Sequence, residues 1–389
     1  MAGENGDSYT ETTSQSWGSR LMESIKGVLV GLIMFIAAFP VLWMNEGCAI
    51  KTARGLDEGA KTVISVKADS VDPANNGKEV HLTGLAVTDE VLADKNFGIS
   101  QKSIKLIRNV DMFQWKEESH SEKKKKVGGS EETVTTYTYK KDWSPDRIDS
   151  SKFKNPGHDN PAMPYVGETF TANLVKLGAF RLSPSLISQI TQKEPMSLEQ
   201  ANMAKLPAAV RGKAKLSNGG IYVGNNAQDP KIGDLKISYA LVKPQTVSIV
   251  SKQVNDTFEA FTTKQNTEIN RLDHGERSAE AMFQEMKKEN VIQTWILRLV
   301  GFVLMALGVG LIFKPLSTFG DVIPIVGSIM NMGIGIFAFV MALILSLVTI
   351  AIAWIAHRPV LGIIILVISA GLFVGIKLLG KQKKLKGAV

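Results

Sequence analysis

The sequence predicts a multi-pass α-helical membrane protein, with one N-terminal and three C-terminal spans and a large β-rich α+β non-cytoplasmic domain between them. Two observations carry this. Apolar residues are concentrated in four nearly uncharged stretches, at 27–44, 295–313, 322–356 and 360–376, and a spanning helix needs roughly 20 predominantly apolar residues. Between the first and second of these lies a long segment mixing aromatic, β-branched and charged residues, as a folded domain does. The overall composition, 44% hydrophobic and 21% charged with a formal net charge of +8, hides this segregation. A simple soluble enzyme is excluded.

Residues 1–24 are polar and read as a flexible tail, with Trp17 the one bulky apolar side chain before Leu21. Residues 25–44 form the first span. The stretch is long for a signal-peptide core and ends in Phe39-Pro40-Val41-Leu42-Trp43 without a small-residue cleavage site, so it is expected to be retained. The β-rich domain occupies 45–277. Residues 80–87 alternate loosely, and 103–115 with 133–143 read as a long hairpin. Its second arm sets Val134, Thr136 and Thr138 on one face and Thr135, Tyr137 and Tyr139 on the other. Further strand-like runs fall at 173–182 and 234–254, and helical spacing at 183–209. Ser278 is placed as the N-cap of a helix, 278–294, that leads into the second span, 295–313. The segment 322–356 exceeds one hydrocarbon thickness at about 1.5 Å per residue. Pro324 and Gly327 are therefore expected to separate an interfacial piece from a third span starting near Ile329. His357-Arg358-Pro359 turns the chain into the fourth span, 360–376.

The tail 377–389 carries Lys377, Lys381, Lys383, Lys384 and Lys386 and no acid. Excess lysine beside a span marks the cytoplasmic side. With four spans both termini are then cytoplasmic and the domain is periplasmic or lumenal. The same five lysines are candidate contacts for anionic lipid headgroups. Lys123 to Lys126, by contrast, are flanked by glutamates at a hairpin tip and read as solvated.

Small residues repeat at four-residue spacing within the spans: Gly27 and Gly31; Ala306 and Gly310; Ala338, Ala342 and Ser346; Gly371 and Gly375. Such residues let helix backbones approach closely where lipid removes the hydrophobic driving force, so they are the candidate helix-packing positions. Arg298 lies near a span boundary and is expected to snorkel towards the headgroups. Asn331 is placed to hydrogen-bond a neighbouring helix.

Several stretches, taken in order, resemble the transmembrane protein 43 family, also called LUMA. They are Asn45-Glu46-Gly47, Lys51-Thr52-Ala53, Asn96-Phe97-Gly98, the run from Lys105 to Trp115, Gly157-His158-Asp159-Asn160-Pro161, Gly233-Asp234-Leu235, His274-Gly275, Ser278-Ala279-Glu280 with Phe283, Thr294-Trp295, and Arg358-Pro359. The resemblance implies a multi-pass protein with a large non-cytoplasmic insert and no accepted catalytic activity, in animals an organiser of the endoplasmic reticulum and nuclear envelope. A shorter connection at Lys243-Pro244-Gln245 and a less polar segment before the third span depart from the animal pattern and admit a bacterial relative in an inner membrane.

No catalytic, cofactor-binding or metal-binding residue is singled out. Cys48 is the single cysteine, so there is no intramolecular disulfide and no cysteine cluster. His81, His158 and His274 fall at positions matching the family resemblance, which raises the question of whether they meet, but none is spaced as a helical metal pair. Nucleophile-elbow, P-loop and dinucleotide motifs are missing. The function expected is a non-enzymatic membrane scaffold or organiser. It would act through self-association into a homo-oligomer and through binding of the lipid bilayer or other membrane proteins, with no cofactor and no nucleic acid. The alternatives are a channel or transporter, which the scarcity of intramembrane charge weakens, and a membrane-tethered hydrolase.

Overall fold

The computed structural model describes residues 7–358. Its principal elements are β1 (Ser8–Gln15), α1 (Trp17–Thr62), β2 (Glu79–Val87), β3 (Lys105–Lys125), β4 (Glu131–Ser144), β5 (Leu235–Val242), β6 (Gln245–Val254), β7 (Arg271–His274), α2 (Ala279–Gly320) and α3 (Pro324–His357). The chain divides into two units, one of residues up to Thr13 with 56–123 and 133–285, the other of 14–55, 124–132 and the residues from Met286 onward.

The first unit holds two sheets. One runs β1-β4-β3-β5 and continues through Gly220–Val223 to Ala214–Ser217; the other centres on β2 and β6. Both are largely antiparallel. Ile237 of β5 faces Val110 of β3, and Ile249 of β6 faces Leu82 of β2. Lys243 and Pro244 join β5 to β6 and so pass the chain from one sheet to the other. Leu106, Val110, Met112 and Tyr239 of the first sheet share one apolar cluster with Leu82, Val247 and Ile249 of the second and with Phe180 and Phe258. β6 is buried along most of its length, which its run of β-branched residues fits.

The second unit is built on the apolar parts of α1, α2 and α3. All three helices are long and apolar enough to cross a membrane. The expected fourth span, 360–376, lies outside the described residues.

Four expectations change. Residues 8–15, read as flexible tail, form a strand that pairs with β4. The first helix is not confined to 25–44 but runs from Trp17 to Thr62. No interfacial break separates residues near Pro324 from Ile329: Pro324 occupies the first turn of an unbroken α3, where its missing N–H costs no intrahelical bond. The helical stretch expected at 183–209 is reduced to short helices, Pro184–Gln189, Gln200–Met203 and Ala208–Arg211.

Candidate functional site

The candidate site is the interior of the helical unit. α1 meets α2 where neither helix has a side chain to hold them apart. A Cβ on Gly31 would stand 2.8 Å from the carbonyl oxygen of Gly308, and one on Gly308 would stand 2.7 Å from the backbone nitrogen of Phe35. Further along, Leu42 fills the space beside Gly301. Ala38, Leu42, Met305 and Ala342 form the buried core here, with Phe35, Phe39, Phe302 and Ala306 packed around it. On α3 the buried positions include Ala338, Ala342, Ser346, Thr349 and Ala353. Of the remaining packing candidates, Gly27 only grazes Leu311 at 3.9 Å, while Gly310 has open space. The α2 glycines in close contact with α1 are Gly301 and Gly308, seven apart. A four-residue template misses that spacing. Gly371, Gly375 and the lysines at 377, 381, 383, 384 and 386 lie outside the described residues.

At one end of this bundle polar residues interlock. Arg298 does not snorkel: its Nε and Nη2 donate to Oε1 and Oε2 of Glu46 at 2.6 and 2.9 Å, and Glu46 is buried. The planar guanidinium matches the carboxylate in a two-point bond, and its other face lies 4.7 Å from the Trp295 ring. One residue before Glu46, Asn45 donates to the carbonyl of Thr294 at 3.1 Å, and Asn290 donates back to the carbonyl of Ala49 at 3.0 Å. One residue after, Gly47 leaves room for His357, whose imidazole would stand 2.9 Å from a Cβ at that position. Arg54 donates to the His357 carbonyl at 3.3 Å. Three consecutive residues of α1 thus engage α2 and α3.

At the other end Lys123, Lys124 and Lys126 of the hairpin tip are exposed, while Lys125 and Gly129 are drawn into contacts with the helix ends. Arg20 donates to Asp321 Oδ2 and to the Gly129 carbonyl, each at 2.5 Å, and pairs with Glu131 at 3.3 Å. Lys125 donates to Asp321 Oδ1 at 2.6 Å. The Gly128 amide donates to the Val322 carbonyl at 3.0 Å, and Trp17 Nε1 to the Thr318 carbonyl at 2.9 Å. Gly129, at φ 80°, lies against the Trp17 ring. Asp321 is buried, which requires the two cations it receives.

In the β-rich unit the three histidines have separate partners. His81 meets Ser65 and the Arg277 carbonyl; His158 meets Asp7 and the Asn155 carbonyl and stacks on Tyr139; His274 meets Thr191 and Gln245. Among the described residues no group of three or more His, Cys, Asp or Glu is arranged to hold a metal. Two buried acids stand out. Asp94 accepts from Arg108 and from the Tyr239 hydroxyl, both at 2.6 Å. Glu79 is 1% exposed, accepts from Thr62 at 3.0 Å through Oε2 and leaves Oε1 without a partner. Burial, with Glu58 nearby, pushes the Glu79 carboxyl up to about 7.

A family profile described as transmembrane protein 43 matches residues 112–359. The chain belongs to the transmembrane protein 43 family. It is 33% identical to human transmembrane protein 43 over 91% of this chain and 90% of that protein. It is likewise 33% identical to the rat protein, over 87% and 86%, and 28% identical to the Drosophila melanogaster homolog, over 89% and 93%. No solved structure matches. The stretches that resemble transmembrane protein 43 include several residues of the polar end of the bundle. Asn45, Glu46, Gly47, Thr294 and Trp295 are spread along the chain yet touch one another or a shared neighbour. In the β-rich unit Asn160 holds the family-like strand at Trp115, accepting from its amide at 2.7 Å and donating to its carbonyl at 2.9 Å.

Proposed function

We propose that this member of the transmembrane protein 43 family is a non-enzymatic membrane scaffold that acts through self-association and through binding of lipid or partner membrane proteins. The observation that carries the reading is how the bundle uses its intramembrane polarity. Glu46, Arg298, Asn45 and Asn290 are spent on fixing α1 to α2, an arrangement suited to a rigid frame rather than to a path for ions or substrate. Other small and polar positions remain uncovered within the described chain. Gly310, Gly333 and Gly335 have open space around them, and Asn331 is exposed on α3. Small and amide-bearing residues of this kind are what helix association in lipid uses.

In this reading the basic tail is cytoplasmic, the N-terminus shares its side, and Lys377, Lys381, Lys383, Lys384 and Lys386 rest on anionic headgroups. Cysteine scanning tests the association. In a Cys48→Ser background, Asn331→Cys and Gly335→Cys are expected to give oxidative dimers in native membranes, with an outward-facing control such as Ile336→Cys giving less. Equal, diffusion-limited crosslinking at all three positions contradicts a specific interface.

A further inference from the structure

Three tryptophans, one on each long helix, stand at the polar end of the helical unit. Trp295 of α2 lies against Arg298, which is paired with Glu46 of α1; Trp43 of α1 lies 5.5 Å from the His357 ring; and Trp354 stands one turn before that histidine on α3. Trp43 and Trp295 are 39% and 63% exposed. Indole rings on spanning helices settle at the boundary between acyl chains and headgroups, so this end marks a membrane surface. The sequence agrees. Arg358 falls between the apolar segment of α3 and the apolar stretch 360–376, and irregular backbone exposed to lipid is excluded from the hydrocarbon region. Two guanidinium groups meet at that turn. Exposed Arg54 of α1 donates through Nη2 to the His357 carbonyl at 3.3 Å, and the next residue, Arg358, holds its guanidinium 4.9 Å from the Trp354 ring. Among the described residues neither is paired with a carboxylate, and Glu46, at this end of α1, is buried and taken by Arg298.

The geometry points to a binding site for an acidic phospholipid at this turn, with its phosphate against Arg54 and Arg358 and its acyl chains lying along the helices below Trp43 and Trp354. Two like charges held together beside a low-dielectric layer favour a counter-anion, and guanidinium groups take phosphate oxygens in two-point bonds. The lipid source follows from what adjoins the pair. Exposed Trp43, Met44 and Ile352 lie on its membrane side, where an anion carrying acyl chains gains apolar contact that free phosphate lacks. The apolar stretch 360–376 separates this site from the tail lysines, and the site does not depend on self-association.

The test uses the full chain, delipidated in an uncharged detergent, with Lys377, Lys381, Lys383, Lys384 and Lys386 replaced by Gln. Phosphatidylglycerol or phosphatidylcholine brominated on the acyl chains is added, and quenching of tryptophan emission is read. Phosphatidylglycerol should reach half-quenching at a concentration on the order of tenfold lower. The difference should shrink with added salt and vanish in R54Q/R358Q. Because R54Q removes the bond to the His357 carbonyl, R358Q alone, which leaves that bond in place, is read beside it and should lower the preference by itself. Equal quenching by the two lipids, or a preference unchanged in R358Q and in the double variant, overturns the proposal. So does displacement of the brominated phosphatidylglycerol by inorganic phosphate at matched ionic strength, which would make the pair a site for a soluble anion.

Discussion

Glu46 and Arg298 show what residue-level reading could and could not reach. Arg298 stands out in the sequence as a charge in an apolar run, but its partner is 252 positions away, and nothing local distinguishes pairing from snorkelling. The structure predicts that Glu46→Gln, which leaves the guanidinium unmatched, lowers stability by about 3 to 5 kcal/mol, whereas replacing both residues with Leu and Met costs far less. Thermal unfolding in detergent by intrinsic fluorescence compares the two. Glu79 was not legible at all, because its position in a buried strand says nothing of the missing partner on Oε1. Its neutral form is the one the fold favours, with the carboxyl pushed up to about 7 from 4.5. The contribution is therefore fully present below the ordinary carboxylate range and is lost as pH rises through about 7. Burial of the unpartnered oxygen sets the effect on the order of 1 to 3 kcal/mol. Midpoints of unfolding measured from pH 5 to 8 should fall more steeply for the natural sequence than for Glu79→Gln. Parallel curves would show that Glu79 ionises freely.

Among the elements, the spans were the most legible, since length and hydropathy alone define them. Their contacts were less so. Small-residue spacing pointed to Gly31, where a Cβ would stand 2.8 Å from the Gly308 carbonyl oxygen, and on α2 to Gly310, which has open space while Gly308 makes the close approach; several small residues share that turn. Gly308→Leu is expected to force α1 and α2 apart and to weaken their packing by about 1 to 2 kcal/mol, while Gly310→Leu, facing open space, should be near neutral within one chain. Protease resistance of the two variants in detergent reads this difference. The hairpin was recognised from its period-two alternation, yet the strand continues through Lys123 to Lys125. Charge suggested solvent there, and the strand nature appears only once Asp321 and Arg20 are seen to receive the tip. Likewise residues 8–15 are polar throughout, and their strand comes from pairing with β4 rather than from any pattern of their own.

At the scale of the whole molecule, side and association remain the two quantities that decide function. Ser130 follows the first span and precedes the second, and so shares the side of Cys48 in the proposed topology. Impermeant thiol reagents applied to single-cysteine variants at Ser130 and Ala388 and to natural Cys48 should label 130 from the side that labels Cys48, and 388 from the other. Labelling of 388 from the side that labels Cys48 would contradict this topology. Association is favoured by confinement, since a shared plane and fixed orientation raise effective concentration and remove rotational freedom that binding otherwise costs. On the proposed reading, modest contacts at Asn331, Gly333 and Gly335 would then suffice to assemble copies. The most direct measurement is the size of the crosslinked species in native membranes at native expression level. A defined ladder ending at a fixed oligomer, unchanged when the crosslinker is increased, is the predicted result; a strictly monomeric chain would contradict the scaffold reading.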